Sequence, residues 1–161
     1  MEAARPARAA DRERIGALRS ELFAELRAYR GGELWVRERM SAARADESSA
    51  FVGTLDDAVV GYGIVEVHEL RDGGRLGLVT ELYVEPDARQ VGVGEALVGE
   101  LLGWCREHRC TGIDATALPG HRAAKNFFEE QGLVSRSLTM HRELEPEEPP
   151  DIEPSEAGGG A

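Results

Sequence analysis

Cysteine is scarce in this chain: only Cys105 and Cys110 occur, and they bracket the end of one helical stretch. A single such pair gives neither a disulfide framework nor a metal site, and Cys105 reads as a small buried hydrophobe. None of the four histidines has the spacing of metal ligands, so no metal is expected. Positive charge is short as well. Nineteen Lys and Arg stand against thirty Asp and Glu, a formal net charge of −11. This argues against nucleic acid as a partner, because that affinity comes from neutralising phosphates with basic side chains. No apolar run approaches the about 18 residues of a membrane span. The N-terminal MEAARPARAADRER lacks an apolar signal core. A cytoplasmic chain with no membrane partner is expected, and no internal repeat suggests a solenoid.

What is present is enough apolar material for one core: 42% of 161 residues are hydrophobic, a length that fits a single domain. Six of the acids lie in residues 145–161, which hold no Lys or Arg and almost nothing to bury. The expectation is one domain over 1–144 and a disordered acidic tail over 145–161.

Along the chain, residues 2–8 read as a short edge strand limited by Pro6. Asp11 reads as the N-cap of a helix carrying Ile15, Leu18, Leu22, Leu26 and Tyr29 at helical spacing and ending at Gly31-Gly32. A second helix with Leu34, Trp35 and Met40 is expected over 33–45. Strands over 50–55 and 58–70 pair around Asp56-Asp57, and Asp72-Gly73-Gly74 turns the chain into a strand over 76–84. The helix after Gly94 puts Leu97, Leu101, Trp104 and Cys105 on one side. Its internal Gly99 and Gly103 each cost about 1 kcal/mol against Ala, so close packing against another backbone is expected there. A strand over 111–116, reached through that helix, should lie parallel to 76–84. Pro119-Gly120 opens a helix over 122–131 that Gly132 closes, and residues 133–144 supply one or two final strands.

Within residues 76–97 the apolar strand carries one carboxylate, Glu81, near its carboxyl end, followed by R-x-x-G-x-G over Arg89 to Gly94 and then an amphipathic helix. Gly92 and Gly94 leave amides at a helix N-terminus, where the dipole favours phosphate. A dinucleotide fingerprint would need Gly where Leu97 stands, and a Walker loop would need Lys-Ser or Lys-Thr where Glu95-Ala96 stands. Glu81 is open to two readings, a general base or a carboxylate paired with an arginine or a backbone amide.

The run L-Y-V-E-P-D-A-R-Q-V-G-V-G-E-A-L, followed by Ala124, Phe127, Phe128, Gly132 and Leu133, resembles the GCN5-related N-acetyltransferase (GNAT) family. The family's frequent Gly falls on Gln90, its Asn on His121, its Tyr on Phe128 and its final Phe on Leu133. The resemblance implies an α/β (α+β) fold: a central mixed, mostly antiparallel sheet with one splayed parallel strand pair, flanked by about four helices. It implies acetyl-CoA as cosubstrate. Its pantetheine arm would pair with the backbone of Leu82, Tyr83 and Val84. Its pyrophosphate would meet Arg89, Gln90, Val91, Gly92, Val93, Gly94 and Glu95, with Arg122 and Lys125 as further phosphate partners and His121 and Phe128 as coenzyme contacts.

The implied activity is an acyl-CoA-dependent N-acyltransferase. It would move acetyl to a primary amine of a small molecule or peptide by direct attack, with Glu81 as base, the Val84 amide at the oxyanion, and Tyr83 or His121 in place of the missing Tyr hydroxyl at Phe128. Tyr29, Trp35, Glu21, Glu25 and Glu33 are the acceptor contacts this resemblance suggests. The other class it allows is a non-catalytic acyl-CoA sensor, and association as a homodimer is compatible with either.

Overall fold

The computed structural model describes residues 1–41 and 49–151. In order it runs β1 (Glu2–Pro6), a short 3-10 turn, α1 (Arg12–Leu26), α2 (Gly32–Ser41), β2 (Ala50–Leu55), β3 (Ala58–Glu69), β4 (Arg75–Val84), a second 3-10 turn, α3 (Val93–Glu107), β5 (Gly112–Ala115) and α4 (Arg122–Glu130). The strands form one sheet in the order β1-β2-β3-β4-β5. Every pairing is antiparallel except β4 with β5, which is parallel. The mixed, mostly antiparallel sheet with one parallel pair and four helices is thus the architecture expected.

Two apolar clusters flank the sheet. On one face Leu18, Leu22, Phe23 and Leu26 of α1 and Val36 of α2 pack against Tyr62, Ile64 and Tyr83. On the other, Val93, Leu97, Leu101 and Cys105 of α3 pack against Phe51, Val65 and Val79. Those four α3 residues recur every fourth position and so share one stripe. The stripe lies close because the strands beneath it have glycines. A Cβ on Gly53 would stand 2.6 Å from a Val93 methyl, and one on Gly77 2.4 Å from the Cys105 sulfur. The glycines inside α3 do something else. Nothing approaches within 4 Å of a Cβ built on Gly99 or Gly103, so the expected close packing at those positions is corrected: the small residues that admit the helix are in the sheet.

Asp56 and Asp57 both adopt positive φ, 48° and 68°, the backbone that a two-residue hairpin needs to follow strand twist. Asp11 precedes α1 but makes no side-chain cap. Its carboxylate instead accepts from Arg5 at 2.7 and 3.1 Å and from the Arg8 amide at 2.8 Å, tying β1 to the first helix. The Arg5 hydrogen bonds hold the Asp11 carboxyl below its ordinary range.

Boundaries move by a few residues: α2 is described only to Ser41, and the part of its expected span over 42–45 lies outside the described residues. The expected final strands over 133–144 do not form, for no sheet pairing involves them and Val134, Leu138, Met140 and Leu144 are 79–87% exposed. Of the expected tail, 145–151 belongs to no helix or strand and 152–161 lies outside the described residues.

Candidate active site

β4 contains the feature that positions the site. Its register with β3 pairs Val65 with Val79 and then Ile64 with Glu81, leaving Thr80 as an extra residue, a β-bulge. Side chains in a strand alternate between faces, so one extra residue reverses the alternation beyond it. Val79 therefore packs toward α3, while Glu81 and Tyr83 face α1 and α2. The bulge also marks where the parallel pair parts. β5 pairs with Leu76 to Val79 only, so from Thr80 to Val84 the edge of β4 toward β5 has no strand beside it.

That edge lines a cavity of about 780 Å³, within the roughly 300–1,000 Å³ of small-molecule sites. Its other walls are Leu22, Glu25 and Leu26 of α1, Trp35 of α2, Thr116 and Leu118 after β5, and Ala123, Ala124, Asn126, Phe127 and Phe128 of α4. α4 has no buried residue; its apolar side faces the cavity. At one end stands the start of α3. Gly92 precedes it with φ 96°, Gln90 is also left-handed at 65°, and the turn closes with the Ala96 amide on the Gly92 carbonyl. The amides of residues 93–95 belong to the first turn, where a helix has no internal acceptor for them. Gly94 lets the Phe127 ring lie against this turn: a Cβ there would meet two ring atoms at 3.1 Å.

Among the residues expected to meet the coenzyme, Leu82, Tyr83, Val84, Arg89, Gln90, Gly92, Gly94, Glu95, His121 and Phe128 all line the cavity. Val91 is exposed and Val93 is buried in the α3 cluster, so neither side chain reaches it. Lys125 is paired with Glu129 on its own helix.

Glu81 also lines the cavity, but its side chain is fully buried and both of its oxygens are engaged. Arg19 of α1 donates through Nε at 2.8 Å and Nη2 at 3.2 Å. Arg39 of α2 donates through Nε at 3.2 Å and Nη2 at 2.9 Å. The Tyr62 hydroxyl of β3 donates at 2.8 Å, and burial first, then the Glu81 charge, pushes that phenol up. In the structure this carboxylate is paired with two arginines and a phenol. Neither arginine nor Tyr62 stands out in the sequence as a site residue. The signal available was Glu81 itself, since a buried carboxylate requires cations or several donors.

A second ion pair crosses the cavity. Arg89, from the loop before α3, donates to both Glu25 oxygens at 3.0 and 3.1 Å and to the Val84 carbonyl at 2.8 Å, with its guanidinium 5.3 Å from the Tyr83 ring centre. Burial, with Glu21 next, pushes the Tyr83 phenol up to about 12. His121 stacks on Tyr29 at 4.4 Å between centroids, and burial holds its imidazole below the ordinary value, Arg89 adding to the effect and Glu25 opposing it. Trp35 packs edge-on against Phe23. Glu33 faces Arg27 at the surface, away from the cavity lining. Among the described residues no group of three or more His, Cys, Asp or Glu is placed to hold a metal ion.

Residues 15–133 match the family model described as Acetyltransferase (GNAT) family. Solved structures with the same fold include the aminoglycoside N-acetyltransferase AAC(6')-Iy in complex with the bisubstrate analogue CoA-S-monomethyl-acetylneamine. It is 17% identical, with TM-score 0.66 over 89% of this chain and 99% of that one. A ribosomal-protein-alanine N-acetyltransferase from Brucella melitensis is also 17% identical, with TM-score 0.67 over 90% of this chain and 100% of its own. The aminoglycoside acetyltransferase meta-AAC0020 from an uncultured soil metagenomic sample, in complex with sisomicin, is 16% identical, with TM-score 0.63 over 90% and 96%. At these identities the likeness is one of fold. Among curated proteins none matches the sequence.

Proposed function

The chain belongs to the acetyltransferase (GNAT) family, and from that membership we propose that it is an N-acetyltransferase: it moves an acetyl group from acetyl-CoA to a primary amine of a small molecule or peptide by direct attack in a ternary complex. The observation that carries this reading is a single cavity bounded by the unpaired β4 edge, the first turn of α3 and the apolar side of α4. When bound, acetyl-CoA supplies an acetyl group already activated as a thioester. The amides at residues 93–95 and the positive end of the α3 dipole suit its pyrophosphate. The edge of β4, Val84 included, offers backbone groups to an extended arm in the manner of an added strand, while Ala124, Phe127 and Phe128 give it an apolar wall.

A primary amine, with a pKa near about 10, reaches the site mostly protonated at neutral pH, so a carboxylate must receive its charge. Glu81 accepts five hydrogen bonds, and an amine would have to displace a guanidinium to reach it. We therefore give Glu81 the task of fixing the α1–α2 wall, and give Glu25, 28% exposed in the same cavity, the task of docking the ammonium and taking the proton that its nitrogen must lose before it attacks the thioester. Arg89 covers Glu25. Phosphate at the neighbouring α3 amides competes for that guanidinium, so coenzyme binding uncovers the carboxylate. Tyr83, which keeps its proton at neutral pH, is the donor available to the departing thiolate, since Phe128 has no hydroxyl.

The test is a thermal melt with millimolar acetyl-CoA, followed by a screen of amines with thiol release as readout. Acetyl-CoA is expected to raise the melting temperature, as any ligand of the native state alone does. Gly92→Asp should abolish the shift by placing bulk and negative charge at the phosphate site. A melt unmoved by acetyl-CoA, or moved equally by NAD, overturns the coenzyme assignment. A shift with no thiol release from any amine overturns the transferase.

A further inference from the structure

The chain leaves α3 by a helix end of defined geometry. The Cys110 amide donates to the Cys105 carbonyl at 2.9 Å and the Arg109 amide to the Arg106 carbonyl at 3.1 Å, with Arg109 left-handed at φ 60°. These are the two bonds and the one reversed residue of a Schellman end, in which a side chain of the last helical turn meets that of the second residue past the cap. That contact is ordinarily between two aliphatic groups. Here both are thiols: Cys105 is buried, and Cys110, half-buried, packs against the same cluster.

The 2.9 Å bond from one residue's amide to the other's carbonyl also limits how far apart they stand. With ordinary backbone dimensions their Cα atoms cannot be separated by more than about 6.8 Å, inside the span of about 4.4–6.8 Å that a disulfide bridges. The Cys105 thiol is hydrogen-bonded to Cys110, and burial, with Cys110 adding to the effect, pushes it up to about 11. Cys105 therefore keeps its proton at neutral pH, and the half-buried Cys110 is the sulfur a small oxidant meets first.

We infer that Cys105 and Cys110 are a reversible disulfide site, closed by a peroxide and reopened by small thiols, that clips the end of α3 to the start of β5. In the closing reaction the Cys110 thiolate attacks hydrogen peroxide, the O–O bond breaks and hydroxide leaves, giving a sulfenic acid. The Cys105 sulfur then attacks the Cys110 sulfur. An S–S bond forms, the S–O bond breaks, and the oxygen departs as water with the Cys105 proton; the two thiols are oxidised and one peroxide is reduced to two waters. Reopening consumes two small-molecule thiols, which leave as their own disulfide. The clip acts on a thinly held part of the fold. Thr111 follows Cys110 with its amide on the Arg75 carbonyl at 2.9 Å, and β5 begins at Gly112 with β4 as its one neighbouring strand among the described residues. Because the cross-link restricts the unfolded chain, closing it stabilises the native state. It lies at the other end of α3 from the turn that faces the cavity, so it does not depend on what occupies that cavity.

Treatment of the native full chain with hydrogen peroxide tests this, followed by intact mass, thiol titration in denaturant and a thermal melt. The mass should fall by two hydrogens, the free thiols should go from two to none, the chain should stay single on a non-reducing gel, and dithiothreitol should restore both thiols. The oxidised chain should melt above the reduced one. Cys110→Ser should keep its one thiol, at Cys105, through the same treatment and melt alike before and after it. Survival of both thiols, a mass raised by oxygen in place of one lowered by hydrogen, or a bond between two chains overturns the site. A disulfide that forms only in denaturant overturns it too, because the native contact is then not what joins the sulfurs. An oxidised chain that melts no higher than the reduced one overturns the clip. The measurements on the unsubstituted chain decide all of these even where Cys110→Ser does not fold.

Discussion

The chain up to the end of α3 and the chain after it are built on different terms. Before Glu107, α1, α2 and α3 and the strands β2, β3 and β4 all contribute buried residues to one of the two clusters. After it, α4 buries nothing and β5 is at best half-buried. The first part is held by its own contacts. The second presents apolar surface to a cavity and to a free edge.

The largest effect is expected where the first part is most tightly held. Glu81→Ala strands two guanidinium groups and a phenol at the α1–α2 interface, and removing one partner of such a buried set costs about 3–5 kcal/mol. Chemical denaturation reads this directly. A variant of unchanged stability and no turnover would instead mark Glu81 as the base. Next comes a matched pair. Leu97→Ala, in the α3 stripe, should cost about 2–5 kcal/mol, whereas Phe127→Ala, on the cavity side of α4, should cost about 1 kcal/mol in the protein alone and yet weaken acetyl-CoA binding more than Leu97→Ala does. Equal stability losses from the two would erase the difference between the regions.

The smallest effect concerns His121. Its folded form disfavours the proton, so the unfolded chain binds more protons once pH drops through about 6.5. The stability that neutral His121 contributes is fully present above that value and is lost on going down toward the lower folded value. The melting temperature should therefore decline over this window, and His121→Gln should flatten the decline.

The strand, loop and helix from Leu76 to Leu97 were legible because glycine, proline and a lone carboxylate in an apolar run each carry a local cause. The partners of that carboxylate were not. Arg19 is one of three arginines in α1 and Arg39 one of two in α2, and nothing local separates them from solvated neighbours; only the third dimension brings both to Glu81. Gly99 and Gly103 misled for a similar reason, since the close approach they suggested is supplied by Gly53 and Gly77 across the interface. Asp11 had the chemistry of a cap, but Arg5 offers its carboxylate a charged donor in place of helix amides. Residues 133–144 were read as one or two strands, and the structure forms none there.

Thr80 has no partner opposite it in the β3 ladder, yet its presence decides which groups meet the cavity. Delete that one residue and every side chain downstream in β4 changes sides: Glu81 and Tyr83 would be driven into the hydrocarbon beneath α3, and Leu82 and Val84 would confront Arg19 and Arg39. In this strand the chemistry depends on a count as much as on an alphabet. A survey of tolerated changes should find small side chains accepted at residue 80, which is buried, and its deletion refused.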